Sequence, residues 1–328
     1  MSKVESDALE ELLRHAAPRP VPAPGEVAAA KAAVRDEWLD ASNRRRTRRQ
    51  VAGFAIAASL LVGLLMSVGV FRAPVVEVVQ VAAIEKSFGP VYLLGDQAEL
   101  RPTEGLANVT SGQTIVTGAD AGLALAWGEG GSLRVDEKTR LRFVDQDAIY
   151  LESGRAYFDS VPSLLKGTKT GNAVNFAMVT DHGTVRHTGT QFMTSVDADT
   201  LVVSVREGEV AIDGVYHDRR ISSGQQAMLA GQQQPSILNI SRAGQAWGWV
   251  AGTTPAAEVN GKSLHEFLVW VCREMGLELR FEGRAEAVAH EAILKGTIDT
   301  VPAEALRLRL ATAALEWRIE GGVVYITD

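Results

Sequence analysis

The sequence contains a single cysteine, Cys272, among its 328 residues. No disulfide can therefore form within the chain, and its domains must depend on their apolar cores for stability. A hydrophobic content of 46% is high enough to build such cores. Because Cys272 falls on the apolar face of a helical pattern, we interpret it as a buried core residue and not as a reactive thiol.

The sequence also lacks the short motifs that are typical of catalytic, nucleotide-binding and metal sites. It has no G-x-S-x-G, H-E-x-x-H or Walker sequence. The glycine-rich stretch Gly128–Gly131 joins two predicted strands and does not lead into a helix, so it lacks the helix start that binds phosphate. His182 and His187 lie around a glycine turn with too few further ligands for a zinc site. We therefore expect no enzymatic activity, no cofactor and no bound metal.

Positive charge is scarce beyond the first fifty residues. Those fifty hold ten Lys or Arg and eight Asp or Glu, so the remainder, with 23 basic and 32 acidic residues, carries a formal charge of −9. A negatively charged surface repels phosphate backbones. This charge argues against nucleic acid as a direct partner.

One long uncharged run interrupts this pattern. Val51–Phe71 contains twenty-one residues without a charge, and eleven of them are Leu, Ile, Val or Phe. At about 1.5 Å per residue such a helix measures roughly 31 Å, close to the ~30 Å hydrocarbon thickness of a bilayer. A buried core helix would carry some polar face, and a cleaved signal peptide would begin nearer the amino terminus. We therefore predict one transmembrane helix.

The charges that flank this run predict its orientation. A single arginine, Arg72, follows it closely, whereas five precede it. The five are Arg44, Arg45, Arg46, Arg48 and Arg49. By the positive-inside rule the first fifty residues lie in the cytoplasm and the longer remainder lies outside. The five arginines are also expected to contact anionic lipid headgroups.

Residues 1–50 contain two short helical patterns that are separated by prolines. The segment Pro18–Pro24 reads PRPVPAP, which a helix cannot cross, and the alanine-rich run Gly25–Asn43 follows it. Two such helices bury little surface by themselves. The segment therefore either becomes ordered on a cytoplasmic partner or serves as a membrane-proximal stalk. The residues expected to contact such a partner are Leu9, Leu12, Leu13 and Trp38.

Residues 75–232 show short apolar runs with period-two alternation, separated by glycine-centred turns. The predicted breaks include Thr117-Gly118, Ser153-Gly154 and Glu207-Gly208. No window of useful length has a helical period. The pattern predicts an all-β domain and is compatible with a roll, a sandwich or a short β-solenoid.

A connector, residues 233–257, follows the β domain and contains Trp247 and Trp249. We expect these tryptophans to pack between neighbouring modules, with stacking on a ligand as the alternative.

Residues 258–328 predict a small α+β module. Ser263 is placed to cap a helix, and Gly276 stands where a left-handed residue ends it. The apolar residues of Leu277–Phe281 then alternate as they do in a strand.

The same order recurs in the second half of this module. A strand is predicted around Ala292–Ile298, and Thr300 is the predicted cap of a helix with Pro302 in its first turn. A terminal hairpin closes the module. Its facing residues are predicted to be Trp317 and Ile319 on one strand and Val324 and Ile326 on the other.

Several short motifs follow one another in a fixed order along the β domain. They are Thr117-Gly118, Gly131 with Arg134, Val179-Thr180, Gly189-Thr190 with Phe192, and Glu207-Gly208 with Val210. This succession resembles the periplasmic domain of FecR-type regulators. The stretches SLHEFLVWVCREMGLELRF and LKGTIDTVPAEALRLRLATAALEWRIEGGVVYI resemble the secretin and TonB short N-terminal module, which many FecR-type proteins carry at their carboxyl end.

The resemblance implies a single-pass regulator of the bacterial inner membrane, with its carboxyl-terminal domains in the periplasm. The cytoplasmic segment of such proteins binds an extracytoplasmic-function sigma factor. Their periplasmic part receives a signal from a periplasmic or outer-membrane protein, such as a TonB-dependent receptor. The family's usual cytoplasmic region is a longer helical domain with a tryptophan-bearing repeat. Residues 1–50 are instead a short, proline-split segment with one tryptophan, Trp38. The alternative is an envelope scaffold protein that uses the span as an anchor.

Overall fold

The computed structural model of the protein describes most of the chain beyond residue 78. The described residues are 10–11, 14, 24–29, 31–32, 34–35, 79–95, 97–128, 130–160, 176–214, 219–231, 234–313 and 315–328. The predicted span Val51–Phe71 lies outside them. So do the predicted partner contacts Leu9, Leu12, Leu13 and Trp38 and the arginines Arg44, Arg45, Arg46, Arg48 and Arg49.

The chain divides into two compact units, Met1–Val76 and Glu77–Asp328. In the first unit the described residues, such as 24–29, are helical and exposed. Among the helices that the structure describes, none combines the length and the apolar character that a membrane crossing requires. The second unit contains all the strands described below.

The first part of the second unit consists of fifteen strands that join in one sheet. They are β1 (Gln80–Phe88), β2 (Val91–Leu94), β3 (Leu100–Pro102), β4 (Asn108–Thr110), β5 (Thr114–Thr117), β6 (Gly122–Trp127), β7 (Gly131–Val135), β8 (Arg140–Phe143), β9 (Ala148–Asp159), β10 (Ala177–Thr180), β11 (Gly183–Asp197), β12 (Thr200–Asp213), β13 (Arg219–Ser222), β14 (Gln225–Ala230) and β15 (Ser236–Asn239).

The long strand β9 bends at Gly154 and so changes its neighbours. Before the bend it pairs with β8, and after it with β7 and β11. Gly154 has a φ of 90°, and a Cβ atom there would lie 2.3 Å from Oγ1 of Thr139. Only glycine tolerates both conditions without strain. The predicted strand break at Ser153-Gly154 is therefore wrong, because this glycine bends a continuous strand.

The hairpin of β11 and β12 bends in the same way. Gly189 and Gly208 have φ values of 65° and 79°, and the pairing register shifts between Thr188 and Gln191. A Cβ atom on Gly208 would lie 2.5 Å from the carbonyl oxygen of Gly189. The predicted break at Glu207-Gly208 is thus also a bend, at which two paired strands turn together.

These bends fold the sheet around one apolar core that includes Trp127, Leu133, Phe143, Phe158 and Phe192. Most strand pairs are antiparallel, and β9 with β10 is the parallel pair among the described strands of this sheet. The all-β prediction is confirmed. Because a β-solenoid stacks parallel strands, the antiparallel pairing favours a roll or a sandwich over that alternative.

A connector and a small α+β module complete the unit. The connector contains a 3-10 helix (Gln245–Trp247) and α1 (Gly248–Gly252). The elements of the module are β16 (Ala257–Glu258), α2 (Leu264–Met275), β17 (Glu278–Phe281), α3 (Ala285–Glu291), β18 (Thr297–Ile298), α4 (Pro302–Leu310), β19 (Glu316–Glu320) and β20 (Val323–Thr327). In its three-stranded sheet, β20 lies between β17 and β19 and is parallel to β17.

The predicted ends of α2 are confirmed. Ser263 Oγ accepts a hydrogen bond of 3.1 Å from the amide of Glu266, and the Glu266 carboxylate accepts one of 2.8 Å from the amide of Ser263. This capping box fixes the start of the helix. Gly276 ends it with a φ of 68° in the left-handed region.

The second half of the module agrees with the prediction in its helix α4 and in its terminal hairpin, in which Trp317 pairs with Ile326 and Ile319 with Val324. It differs before that helix. The strand predicted at Ala292–Ile298 is shorter in the structure, where it is β18 (Thr297–Ile298). The helix α3 precedes it and was not predicted. Ala285 and Ala289 of α3 are buried in the module core, and two alanines carry little periodic signal.

The helix α4 also begins one residue later than predicted. Val301, and not Thr300, is its N-cap, and it makes no side-chain capping bond. Pro302 occupies the first turn as predicted. A residue before proline favours an extended backbone, so the proline sets this boundary.

Replacing Gly154 with alanine tests the role of the bend. Gly112 is a matched control, because its φ of 84° is similar but a Cβ atom there would meet nothing within 4 Å. Both substitutions should cost about 1–2 kcal/mol for the left-handed backbone. Gly154→Ala should cost about 1–3 kcal/mol more, because its Cβ collides with Thr139. Denaturant unfolding of the full-length chain, followed by tryptophan fluorescence, measures the difference. Equal losses for the two variants would contradict this role.

Candidate functional site

The carboxyl end of α2 lies against the β domain, and charged side chains from both parts meet there. Strands β7, β9 and β12 provide Arg134, Asp159 and Arg206, while the last turn of α2 provides Arg273 and Glu274. We call these five residues the buried charge cluster. Their arrangement matters because buried ionised groups are costly unless they are paired and hydrogen-bonded.

Arg134 and Glu274 form the central pair of the buried charge cluster. Nη2 of Arg134 lies 2.9 Å from Oε1 of Glu274, and Nη1 lies 2.8 Å from Oε2. Nη1 also donates to the carbonyl of Val250 at 2.9 Å and to Oγ1 of Thr254 at 3.1 Å. The side chains are only 2% and 13% exposed. This two-pronged geometry joins the β domain, the connector and α2.

Arg273 forms a second link between α2 and the β domain. Its guanidinium donates to Oδ1 of Asp159 at 2.7 Å and to Oε2 of Glu207 at 2.5 Å. The other carboxylate oxygen of Asp159 accepts a hydrogen bond of 2.8 Å from the Gln191 side chain. Burial lowers the pKa of Arg273, but attraction to Asp159 and Glu207 outweighs burial and raises it above the usual range. Arg273 therefore stays charged.

Arg206 binds the end of α2 in a different way. Its Nη1 donates to the main-chain carbonyl of Glu274 at 3.1 Å, which satisfies one of the carbonyl groups left open at a helix terminus. Its guanidinium lies 4.3 Å from the centre of the Trp247 ring and 5.8 Å from that of Tyr157. Burial lowers the pKa of Arg206. The aromatic faces and the helix carbonyl replace the water that this group loses.

The connector tryptophans pack against the β domain, whereas the prediction was packing between the two modules. Trp247 is buried with Tyr157, Met193 and Val250 in a small apolar cluster. Nε1 of Trp249 lies 3.3 Å from the sulfur of Met193. The connector is thereby attached to the face of the sheet that carries Arg134 and Arg206.

Two residues of the FecR-like motifs lie at this interface. Arg134 belongs to the buried charge cluster, and Glu207 lies beside it and pairs with Arg273. Gly208 and Gly189 form the bend next to Glu207. Thr190 exchanges hydrogen bonds with Ser160 through its main chain. This group of motif residues therefore shapes the surface that receives α2.

The other motif residues build turns and core of the β domain. Oγ1 of Thr117 donates to the carbonyl of Asp136 at 2.5 Å, and the amide of Gly118 donates to Pro90 at 2.8 Å. Phe192 is fully buried in the core. A Cβ atom on Gly131 would lie 3.0 Å from the Phe158 ring. These contacts explain the motif residues by their role in packing and in turns, and not by a chemical role.

Sequence reasoning missed Asp159, Arg206, Arg273 and Glu274. The available signal was a charge inside an otherwise apolar run, as in LVVSVRE for Arg206. A charge in such a run is costly unless a partner meets it, and the partner here comes from a distant part of the chain.

The acidic residue Asp136 is buried at the end of β7 and pairs with Arg155. Burial raises the pKa of Asp136, and the hydrogen bonds and the pairing with Arg155 offset only part of this effect.

The thiol of Cys272 is buried in the module core, as predicted. Burial raises its pKa to about 12, so it stays protonated and inert at neutral pH.

Two places on the described part of the chain bring together side chains that could bind a ligand. A cavity of about 270 Å³ beside the buried charge cluster is lined by Arg206, Arg242 and Arg273. Carboxylates of the chain bind two of these arginines, since Arg242 contacts Glu278 at 3.3 Å and Arg273 contacts Asp159 and Glu207. Within the described ranges, the residues that could hold a metal ion are His265, Glu286 and His290, not the pair His182 and His187.

Comparisons with known proteins give one family match. Residues 113–211 match the family model described as FecR protein. The chain also has 16% identity to two crystal structures of "a putative anti-sigma factor from Parabacteroides distasonis ATCC 8503", at 1.65 and 2.50 Å resolution. The matches cover 65% and 66% of this chain and 97% and 98% of those chains, each with a TM-score of 0.34. No curated protein gives a significant match.

Removing one partner of the central ion pair should loosen the interface. We expect Glu274→Gln and Arg134→Met each to cost about 3–5 kcal/mol of unfolding free energy, because each leaves a buried polar group without its partner. The double variant should cost less than the sum of the two. Arg186→Ala is the control, because the Arg186–Asp213 pair is exposed and should contribute about 0–1 kcal/mol. Additive losses in this cycle would contradict coupling across the interface.

The contribution of the interface to stability should also depend on pH. Burial raises the pKa of Glu274, but attraction to Arg134, Arg206 and Arg273 outweighs it and lowers the pKa below the ordinary 4.5. The stability from the ionised form is therefore complete above pH 4.5 and is lost as the pH falls through the lower folded value. Urea unfolding between pH 6 and pH 3 should show this loss in the native chain and a smaller one in Glu274→Gln. Parallel pH curves would contradict it.

Proposed function

Because residues 113–211 form a FecR-type domain, we propose that the protein is a signal-transduction regulator that controls an extracytoplasmic-function sigma factor. The family match carries this proposal. It covers the strands that provide Arg134, Asp159 and Arg206, which hold the carboxyl-terminal module against the β domain. The proposed receiver of the signal is thus both modules together.

We place this receiver in the periplasm, at the end of a single inner-membrane span. The uncharged run Val51–Phe71 supports the span, and the arginines before it support a cytoplasmic amino terminus. The acidic charge of the remainder and its single cysteine are compatible with this location.

The proposed signal is a periplasmic or outer-membrane protein, with a TonB-dependent receptor as the specific candidate. The three-stranded sheet of the α+β module ends in β19, which has one neighbour among the described strands. All five of its residues are exposed, including Trp317 and Ile319. An exposed edge with apolar side chains is a surface to which another protein can add a strand.

The output is assigned to residues 1–50. Leu9, Leu12, Leu13 and Trp38 are the apolar residues available for a sigma factor in the cytoplasm. Their segment is too short to bury them well by itself, so a partner would supply the missing surface. The arginines beside the span would contact lipid headgroups.

The second candidate is an envelope scaffold protein that uses the span as an anchor only. The proline-split cytoplasmic segment with its single tryptophan favours it, since it is shorter than the cytoplasmic region usual in FecR-type regulators. Under this alternative the β domain and the α+β module perform the function without the cytoplasmic segment.

Substitutions in the cytoplasmic segment of the full-length chain separate the two candidates. Replacing Leu9, Leu12, Leu13 and Trp38 together with serine should reduce co-purification of an extracytoplasmic-function sigma factor from the native cells about tenfold or more, because apolar contact surface is lost. It should also change transcription from that factor's promoters. Replacing Ala8, Ala16 and Ala17 with serine is the matched control and should change neither.

An anchor exchange completes this test. Replacing residues 1–71 with an unrelated signal anchor should abolish control of transcription if the proposal holds. Unchanged control after both the serine substitutions and the exchange would reject sigma-factor regulation and leave the scaffold function.

A further inference from the structure

Two histidines and a carboxylate meet on the surface of the α+β module. His265 lies in the first turn of α2, and Glu286 and His290 lie one turn apart on α3. One potential ligand atom from each lies within 4.8 Å of the others. None of these residues belongs to the buried charge cluster.

The packing of the two helices explains why these side chains meet. On α3, Ala285 and Ala289 are four residues apart and buried in the module core. Glu286 and His290 each follow one of them, so they share one flank of the helix. On α2, the capping box at Ser263 fixes the turn that carries His265. The backbone positions of all three ligands are therefore set by the fold.

Ring contacts hold His265 beside the other two side chains. Its ring stacks on His290, with the ring centres 4.0 Å apart, and on Phe281 at 5.4 Å. Glu266 bonds to Ser263 and Lys262, which leaves Glu286 as the nearby carboxylate.

From this geometry we propose that His265, Glu286 and His290 bind a divalent ion of the zinc type. Two imidazole nitrogens and one carboxylate are a donor set that zinc uses when three protein ligands leave a fourth position open. Magnesium and calcium prefer oxygen ligands alone. Ligand atoms around tetrahedral zinc lie about 3.3 Å apart, so rotation of the exposed Glu286 and His290 side chains closes the site.

Such an ion would join α3 to the start of α2. Nine residues further along α2, at a distance of about 13 Å, Glu274 lies in the buried charge cluster. One helix thus carries both the metal site and the link to the β domain. Zinc should therefore stabilise the module that Arg134 and Asp159 hold in place.

Zinc binding to the detergent-solubilised full-length chain tests the site directly. The chain should be purified without a polyhistidine tag, freed of metal and dialysed against zinc. We expect the native chain to bind one equivalent of zinc more than His265→Ala or His290→Gln does, or to bind this equivalent at least tenfold more tightly. His182→Ala is the matched control, since His182 lies in the turn between β10 and β11, and it should bind as the native chain does.

Thermal unfolding provides a second readout. Zinc should raise the unfolding temperature of the native chain and of His182→Ala, whereas magnesium should not, because only an ion that binds the folded form stabilises it. The rise should be absent in His290→Gln and reduced in Glu286→Gln. Equal zinc content and equal stabilisation in the native chain and His290→Gln would overturn the proposal, whatever the behaviour of His265→Ala. His290 is exposed, so this variant should fold.

Discussion

The Arg134–Glu274 ion pair is the interaction on which the arrangement of the second unit depends. A guanidinium that is 2% exposed is stable only if a carboxylate and further acceptors surround it. Here the carboxylate comes from α2 and the carbonyl of Val250 comes from the connector. The β domain cannot satisfy Arg134 by itself. The helix and the connector are consequently held in one position on the sheet.

The bent strands make this position available. Gly154 and Gly208 let β9 and β12 continue through sharp turns, so that Asp159 and Arg206 reach the face that receives α2. A family match over residues 113–211 therefore includes only one side of the interface. The other side is the module beyond the match, so the ion pairs join the matched domain to a part of the chain outside the match.

The helix α2 connects two kinds of polar chemistry. Its carboxyl end carries Arg273 and Glu274, which are charged and paired, whereas its first turn carries His265, which stacks on His290 and Phe281. Between them the apolar face of the helix is buried in the module core.

The sequence by itself determined the class of the β domain and of the α+β module, because local patterns specify local structure. Period-two alternation predicted the β domain, and Ser263 and Gly276 predicted both ends of α2. Charge and hydropathy predicted a span and its orientation, which lie outside the described residues. Tertiary structure alone decided that Gly154 bends a strand, that α3 forms, and that Arg134 meets Glu274. The Arg134–Glu274 contact joins residues 140 positions apart, Gly154 lies against Thr139, and α3 buries its alanines in the module core. No local pattern encodes these contacts.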